Sequence, residues 1–199
     1  EKSGKSVVID AVGDGEYAVP LKSAIVLRYG GYRFLKKNNE IIVPPYADDL
    51  LLRYQTGMLT FREKGTKPVI GFVGWARMLF VQSVRSMLRD APQYLRGLFD
   101  ERYRACRKGI FFRKKALAIL EASDLIEPNF LIRDSYSGNV KTAPKDAESL
   151  RAEFVENAMH ADFALDIRGD ANASTRLFEM LSLGRVPLII DTERNFPFS

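Results

Sequence analysis

Residues Pro68–Gly74 read PVIGFVG, a continuous apolar run that begins at a proline and ends at a glycine. Such a run is typical of a strand buried on both faces of a parallel sheet, because a half-exposed strand alternates apolar and polar residues. From Pro68 onward, strand-like and helix-like segments follow in the order β-α-α-β-α-β-α-β. This order predicts an α/β fold with a Rossmann-like parallel sheet, flanked by helices and built from right-handed crossovers.

The spacing of apolar residues predicts the other elements of this alternating region. Val84 and Leu88, together with Leu79, are expected on the buried side of the first helix, and Ile119 on that of the second. Three further strands are predicted at 129–134, 162–167 and 186–190. Four helices are predicted at 78–88, 113–122, 146–160 (capped by Asp146 or Ser149) and 175–183.

The chain before residue 60 has a different pattern of predicted elements, with short strands, prolines and no long helix. We interpret residues 1–60 as the end of an N-terminal domain with a linker, and residues 61–199 as the Rossmann-like domain. No covering helix follows the last predicted strand, so we expect the domain to be truncated and the chain to be a fragment. Strands are predicted at 7–10, 24–28 and 40–43, a short helix at 48–55, a turn at Asp14-Gly15 and a loop at Ser135–Lys145.

Composition excludes several classes of protein. The chain has 199 residues with one cysteine and one histidine, which excludes a disulfide framework and argues against a cysteine/histidine zinc site. No apolar run approaches the ~18–20 residues of a membrane span. The first residues, EKSGKS, do not resemble a secretory signal. We therefore expect a cytoplasmic protein.

The net charge of +5 comes from one segment. Between Arg85 and Lys115 there are ten basic and three acidic residues, so this segment carries +7 and the rest of the chain is slightly acidic. A charge run of this kind is most often a solvated helical surface. The functional alternatives are contact with an anionic lipid surface, with an anionic acceptor or with nucleic acid.

Arg168-Gly169 follow the predicted strand at 162–167, at the carboxyl end where open parallel sheets bind ligands. Small residues then lead into a helix that Ser174 or Asn172 caps. A helix N-terminus favours anions, and arginine binds phosphate with two parallel hydrogen bonds. This part of the chain is therefore a candidate diphosphate site.

Arg176 and Glu179 lie three residues apart on that helix, which places them on the same face. A nucleotide requires cations for its phosphates and favours a carboxylate that accepts hydrogen bonds from the ribose hydroxyls. The alternative interpretation is a surface ion pair with no ligand, worth a few tenths of a kcal/mol.

The amino-acid sequence of this region resembles the signature of exostosin-family glycosyltransferases. The resemblance covers most of residues 40–198 and is specific in the last 40 residues or so. Upstream, Val43-Pro44-Pro45, Pro68–Gly74 and Phe130–Arg133 also resemble that family. The matching residues of the specific part are Arg168-Gly169, Ser174, Arg176, Phe178-Glu179, Leu181, Gly184, Val186-Pro187 and Pro197.

The resemblance implies the C-terminal half of a GT-B fold, which binds a nucleotide-sugar donor, usually UDP-linked. It also implies inverting sugar transfer to a glycan or polysaccharide, with no metal and no cofactor. One cysteine and no anchor fit a cytoplasmic enzyme of this kind that works near a membrane, with the basic segment as a candidate for peripheral contact with the membrane surface, whereas eukaryotic relatives lie in the Golgi. No nucleic-acid partner is then expected. The rival hypothesis is a basic, non-enzymatic module that binds nucleic acid through Arg85–Lys115.

Carried over residue by residue, the resemblance implies that Arg168, Ser174 and Arg176, beside Gly169, hold the diphosphate and that Glu179 holds the ribose. Gly74 and Arg77, after the first strand of the domain, are weaker candidates for the same cleft. The catalytic base is expected from the opposite side of the cleft, so no residue is assigned to it. The fragment alone is expected to be inactive.

Overall fold

The computed structural model describes residues 6–11, 19–78, 80–134 and 146–197. They form two parallel sheets, of three and of four strands. The first sheet contains β1 (Val7–Asp10), β2 (Ala24–Arg28) and β3 (Glu40–Ile42). The second contains β4 (Val69–Trp75), β5 (Glu127–Arg133), β6 (Phe163–Asp166) and β7 (Val186–Ile189). The helices are α1 (Leu50–Tyr54), α2 (Phe80–Arg89), α3 (Ala91–Phe99), α4 (Gly109–Glu121), α5 (Ala147–Met159) and α6 (Thr175–Ser182), with 3₁₀ helices at Arg33–Leu35 and Glu101–Cys106.

The second sheet has the strand order β5-β4-β6-β7, with β4 between two parallel neighbours. Six of the seven residues of β4 are buried, as its unbroken apolar sequence predicts. Ile70 and Phe72 pack against Leu117 of α4 on one face of the sheet. Val73 packs against Phe154 of α5 on the other face, with α6 beside it. The predicted Rossmann-like α/β class is confirmed.

The first sheet joins this domain through the backbone around Tyr32. Tyr32 and Arg194 form an antiparallel bridge, and Asn195 donates a backbone hydrogen bond to Gly31 at 3.0 Å. Leu50 of α1, although it precedes the predicted boundary at residue 60, packs in the same core as Val73. The boundary between residues 1–60 and 61–199 stays a prediction.

The region between β4 and β5 differs most from its prediction. It contains a helix that the sequence interpretation missed, α3, whose first turn holds Pro92. The prediction that Val84 and Leu88 are buried is wrong, because α2 turns them outward, and Leu88 is 72% exposed. Ile119 of α4 is likewise exposed. Apolar spacing gives the face of a helix but not the direction in which that face points.

Several element ends also shift. The helix predicted from Arg113 begins one turn earlier, because Ile110 is buried against the domain. Asp146, and not Ser149, caps α5, and Ser174, and not Asn172, caps α6. The predicted turn at Asp14-Gly15, the loop at 135–145 and the placement of Leu79 lie outside the described residues. Of the helices that are described, none has the length and hydropathy to cross a membrane.

Candidate functional site

A cavity of about 700 Å³ opens at the carboxyl edge of the second sheet, where β4 and β6 are neighbours. The chain leaves β4 for β5 on one side, then crosses to β6 on the other, so the strand order reverses here. Val73 and Trp75 of β4 and Ile167 after β6 line the cavity. Open parallel sheets bind ligands at such a reversal, and ligand pockets commonly have volumes of about 300–1,000 Å³.

The first turns of α4, α5 and α6 face this cavity. Asp146 caps α5 by accepting a hydrogen bond from the Ser149 backbone N–H at 2.9 Å, and Ser174 caps α6 by accepting one from Leu177 at 3.3 Å. A helix N-terminus carries a partial positive charge, so three of them at one cavity favour an anionic ligand. The lining residues from these turns include Ile110, Ala147, Leu150 and Thr175.

The charged side chains that line the cavity, among the described residues, are four arginines and two carboxylates. Glu153 and Asp48, which lie outside the lining, pair with Arg133 and Arg151, so the preference for an anion comes from the helix ends together with Arg113 and Arg176. The carboxylates are Asp170 and Glu179. The arginines are Arg113 on α4, Arg133 at the end of β5, Arg151 on α5 and Arg176 on α6.

Two of these arginines are fixed by backbone carbonyls at the strand ends. Arg113 donates to the carbonyls of Trp75 at 3.0 Å and Ile167 at 3.3 Å, which joins the ends of β4 and β6. Arg176 donates to the carbonyl of Val73 at 2.7 Å. A carbonyl carries no formal charge, so these bonds orient each guanidinium without neutralising it.

Gly74 leaves room for the guanidinium of Arg176. A Cβ at Gly74 would lie 2.9 Å from Nη2 of Arg176, closer than such atoms approach in proteins. The guanidinium also lies over the ring of Phe72, whose centroid is 4.9 Å from Cζ of Arg176. Gly74 therefore belongs to the site because its lack of a side chain leaves space for the guanidinium of Arg176.

Glu179 is buried and accepts a hydrogen bond from Arg151 at 2.7 Å. Arg151 also reaches Asp48, at 3.4 Å, in the segment before α1. Burial opposes the charge of Arg151, but the hydrogen bond to Glu179 and the carboxylate of Asp48 outweigh it, so the pKa of Arg151 lies above its ordinary value. Arg151 is thus a cation that orients Glu179 at the cavity wall.

The structure brings together four of the predicted site residues: Gly169, Ser174, Arg176 and Glu179 all line the cavity. Gly74 lies directly behind Arg176. Arg77 is exposed and forms an ion pair with Asp134 at 3.5 Å, and it is not among the lining residues. No observation of the structure tests the roles assigned to these residues, so the roles stay predictions.

Arg168 lies outside the cavity lining and is 1% exposed. Its guanidinium donates to the carbonyls of Ala105 at 2.8 Å and Asp170 at 3.1 Å, and also to that of Arg107. These contacts tie the 3₁₀ segment before α4 to the loop after β6. Arg168 therefore holds two loops of the site in place.

A buried charge cluster supports the start of α6. Asp166, at the end of β6, accepts hydrogen bonds from the Ser174 hydroxyl at 2.5 Å and from Nη1 of Arg194 at 2.6 Å. Asp166 and Arg194 are almost fully buried. Since Ser174 also caps α6, the position of this helix at the cavity depends on Asp166.

Sequence reasoning missed three of the lining arginines: Arg113, Arg133 and Arg151. Arg133 forms an ion pair with Glu153 at 2.9 Å. A signal was present in the sequence for two of them, because Arg133 ends β5 and Arg151 lies near the start of the helix that follows β5, whereas Arg113 lies on α4, which two helices and a 3₁₀ helix separate from β4. Those positions converge at one edge of a parallel sheet.

Comparisons with models of protein families, with curated proteins and with solved structures returned no match. Among the described residues, no group of three or more histidine, cysteine, aspartate or glutamate side chains is placed to hold a metal ion.

Proposed function

We propose that the protein binds a nucleoside-diphosphate sugar, of the UDP class, and transfers the sugar to a glycan or polysaccharide acceptor with inversion. The observation that supports this best is the cavity where β4 and β6 meet, with four arginines, three helix N-termini and the buried carboxylate of Glu179. A nucleotide sugar presents a dianionic diphosphate and a ribose diol, which require cations and a hydrogen-bond acceptor side by side. The resemblance to exostosin-family glycosyltransferases supports the same conclusion.

In this proposal the diphosphate lies between Arg176, Arg113 and the N-terminus of α6. Both guanidinium groups are oriented by strand-end carbonyls, which lowers the cost of ordering them on binding. Arg168 acts indirectly, by fixing the loops that carry Gly169 and Arg107. Glu179, oriented by Arg151, accepts hydrogen bonds from the ribose hydroxyls.

The reaction is a displacement at the anomeric carbon. The acceptor oxygen forms a bond to that carbon, the bond to the diphosphate breaks, and its electron pair leaves with the nucleoside diphosphate. Charge grows on the leaving group in the transition state, and preorganised guanidiniums and helix ends stabilise it there more than in the ground state. The acceptor proton passes to a base, for which we assign no residue of this chain.

Calorimetric titration of UDP into wild type and Arg176→Ala tests the proposal. We expect the variant to bind about 10-fold to 100-fold more weakly, the range for losing one hydrogen bond to a charged group. Arg77→Ala is the matched control, because Arg77 follows the same strand but lies outside the cavity lining. Circular dichroism checks that Arg176→Ala is folded. Equal UDP affinity in wild type and Arg176→Ala would contradict the assignment.

The rival function, nucleic-acid binding by Arg85–Lys115, gains little support from the packing of that segment. Tyr94 and Tyr103 are covered by Arg107 and Arg96, with Cζ 4.4 and 5.7 Å from the ring centroids, so these rings are not open platforms for base stacking. Arg113 faces the cavity. Gel shifts with RNA and DNA at two salt concentrations separate the hypotheses, since salt-sensitive shifts without UDP binding would favour the rival.

A further inference from the structure

Helix α2 is turned with apolar side chains outward. Val81, Val84 and Leu88 repeat at intervals of three and four residues, which places them on one face, and all three are exposed. Ser86 is buried on the opposite side at 6% exposure. Its hydroxyl has no hydrogen-bond partner among the residues that the structure describes. A surface helix in water normally has the reverse arrangement.

Helix α3 repeats this arrangement. Leu95, Leu98 and Phe99 share a face and are exposed, and Phe99 is 93% exposed. The residue of α3 that is buried is Gly97, packed against the stem of Arg104. The Oε1 atom of Gln93 is also buried, with no hydrogen-bond partner within the described part of the chain. Among the side chains of α2 and α3 that the structure describes, the buried groups are therefore small or polar, and six of the large apolar ones are exposed.

Arginines accompany these apolar side chains. Residues 80–99 contain three arginines and one acidic residue, Asp90. Arg85, Arg89 and Arg96 are exposed, so cations and apolar groups share the outer surface of the two helices. Arg102 and Arg104, which follow α3, are also exposed but pair with Asp100 and Glu101, so the charge that faces solvent on this surface comes mainly from the arginines of α2 and α3.

We propose that α2 and α3 form a membrane-docking surface that lies on an anionic phospholipid bilayer. An interfacial helix buries an apolar face at the level of the lipid headgroups and places arginines against anionic phosphates. The six outward apolar residues form the face that is buried among the headgroups, and the three arginines contact the anionic phosphates. The negative charge of such a bilayer is complementary to that of the two helices.

The proposal does not depend on the nucleotide site. It accounts for two features that a water-exposed surface leaves unexplained: the exposed Phe99 and the inward Ser86. It also gives the exposed arginines of α2 and α3 a role separate from that of the cavity arginines, to which Arg113 of the +7 segment belongs.

Co-sedimentation with vesicles tests it. The full protein is mixed with vesicles of phosphatidylglycerol and phosphatidylcholine in equal parts, and with phosphatidylcholine alone. We expect binding to the anionic vesicles, weakened about tenfold or more in Leu88→Ser/Leu98→Ser/Phe99→Ser, which removes exposed apolar groups. In Arg85→Gln/Arg89→Gln we expect a loss of about fivefold per arginine. Leu125→Ser and Lys22→Gln/Lys37→Gln are matched controls, since these residues are exposed elsewhere.

Three outcomes would overturn the proposal: no binding of wild type to the anionic vesicles, equal binding of wild type and both variants, or a wild-type dimer that the triple serine variant dissociates. The last would identify a second copy of the chain as the occupant. The arginine variant keeps the test valid if the serine variant does not fold. UDP affinity is measured in parallel and is expected to be unchanged, so failure of this proposal and failure of the nucleotide proposal are distinguishable.

Discussion

Two groups of arginines differ in their surroundings. The first group lines the cavity or makes the buried contacts that support it, and the second lies on α2, α3 and the following 3₁₀ helix. Arg168 and Arg194 are buried and bound to carbonyls or to a carboxylate, while Arg85 and Arg102 face solvent. A charge in a low-dielectric environment depends strongly on its partner, whereas an exposed charge is screened by water and salt. Local charge density in the sequence therefore does not measure how much an arginine contributes to the fold.

The largest effect is expected where the buried ion pair of Asp166 and Arg194 is broken. Asp166→Asn leaves the buried Arg194 without its carboxylate, and a change of this kind costs about 3–5 kcal/mol. Urea unfolding measures it. Asp191→Asn is the control, because Asp191 pairs with Arg33 at 2.7 Å but is largely exposed, and such pairs are worth less than about 1 kcal/mol. Equal losses in both variants would remove the contrast between buried and exposed pairs.

An intermediate effect is expected at Asp162, which joins two segments at the start of the second sheet. Asp162 accepts hydrogen bonds from the Val69 backbone at 2.7 Å and from Arg62 at 2.6 Å. These two bonds, the Val69 N–H foremost, lower the pKa of its carboxyl below the ordinary 3.8.

The lowered pKa fixes the pH dependence of this contribution. Asp162 stabilises the fold fully above the ordinary pKa of 3.8, and the contribution is lost as the pH falls through the lower pKa of the folded state. Asp162→Asn is expected to lose about 1–2 kcal/mol at neutral pH and to match wild type more closely in strong acid. Unfolding free energies measured across this pH range check both points. A constant difference between the two proteins at every pH would exclude the carboxylate as its source.

The smallest effect is expected on the basic segment. Arg102 forms a close pair with Asp100, at 2.7 Å between Nη2 and Oδ2, but its side chain is 60% exposed. Arg102→Gln is expected to leave the urea midpoint within measurement error, because water and salt already stabilise both charges. A clear loss of stability, unchanged by added salt, would show that this pair behaves like the buried one.

The sequence predicts most of the second sheet because its signals are local. The apolar run of β4 predicts a strand buried on both faces, and the polar residues before α6 predict a cap at Ser174 or Asn172; the structure has the buried strand and the cap at Ser174. The region of α2 and α3 is where prediction failed. Its apolar spacing is helical, but the faces point outward, and no local signal separates an inward from an outward apolar face.

The residues of the candidate site also fall into two groups, those that a local sequence pattern reveals and those that it does not. Gly169, Ser174, Arg176 and Glu179 lie close together in the chain, so one motif is enough to find them. Arg113, Arg133 and Arg151 come from three other elements and meet these residues only because parallel strands bring their carboxyl ends to one edge.

By itself, the sequence determined the α/β class, the burial of β4 on both faces and the helix that carries Arg176 and Glu179, since each depends on short-range patterns of polarity and capping. Tertiary structure alone decided that Arg168 turns away from the cavity to bind loop carbonyls and that Arg113 and Arg151 turn toward it. It also decided that the apolar sides of α2 and α3 face outward. These outcomes depend on contacts between residues far apart in the chain, and the direction of a side chain is set by what packs against it.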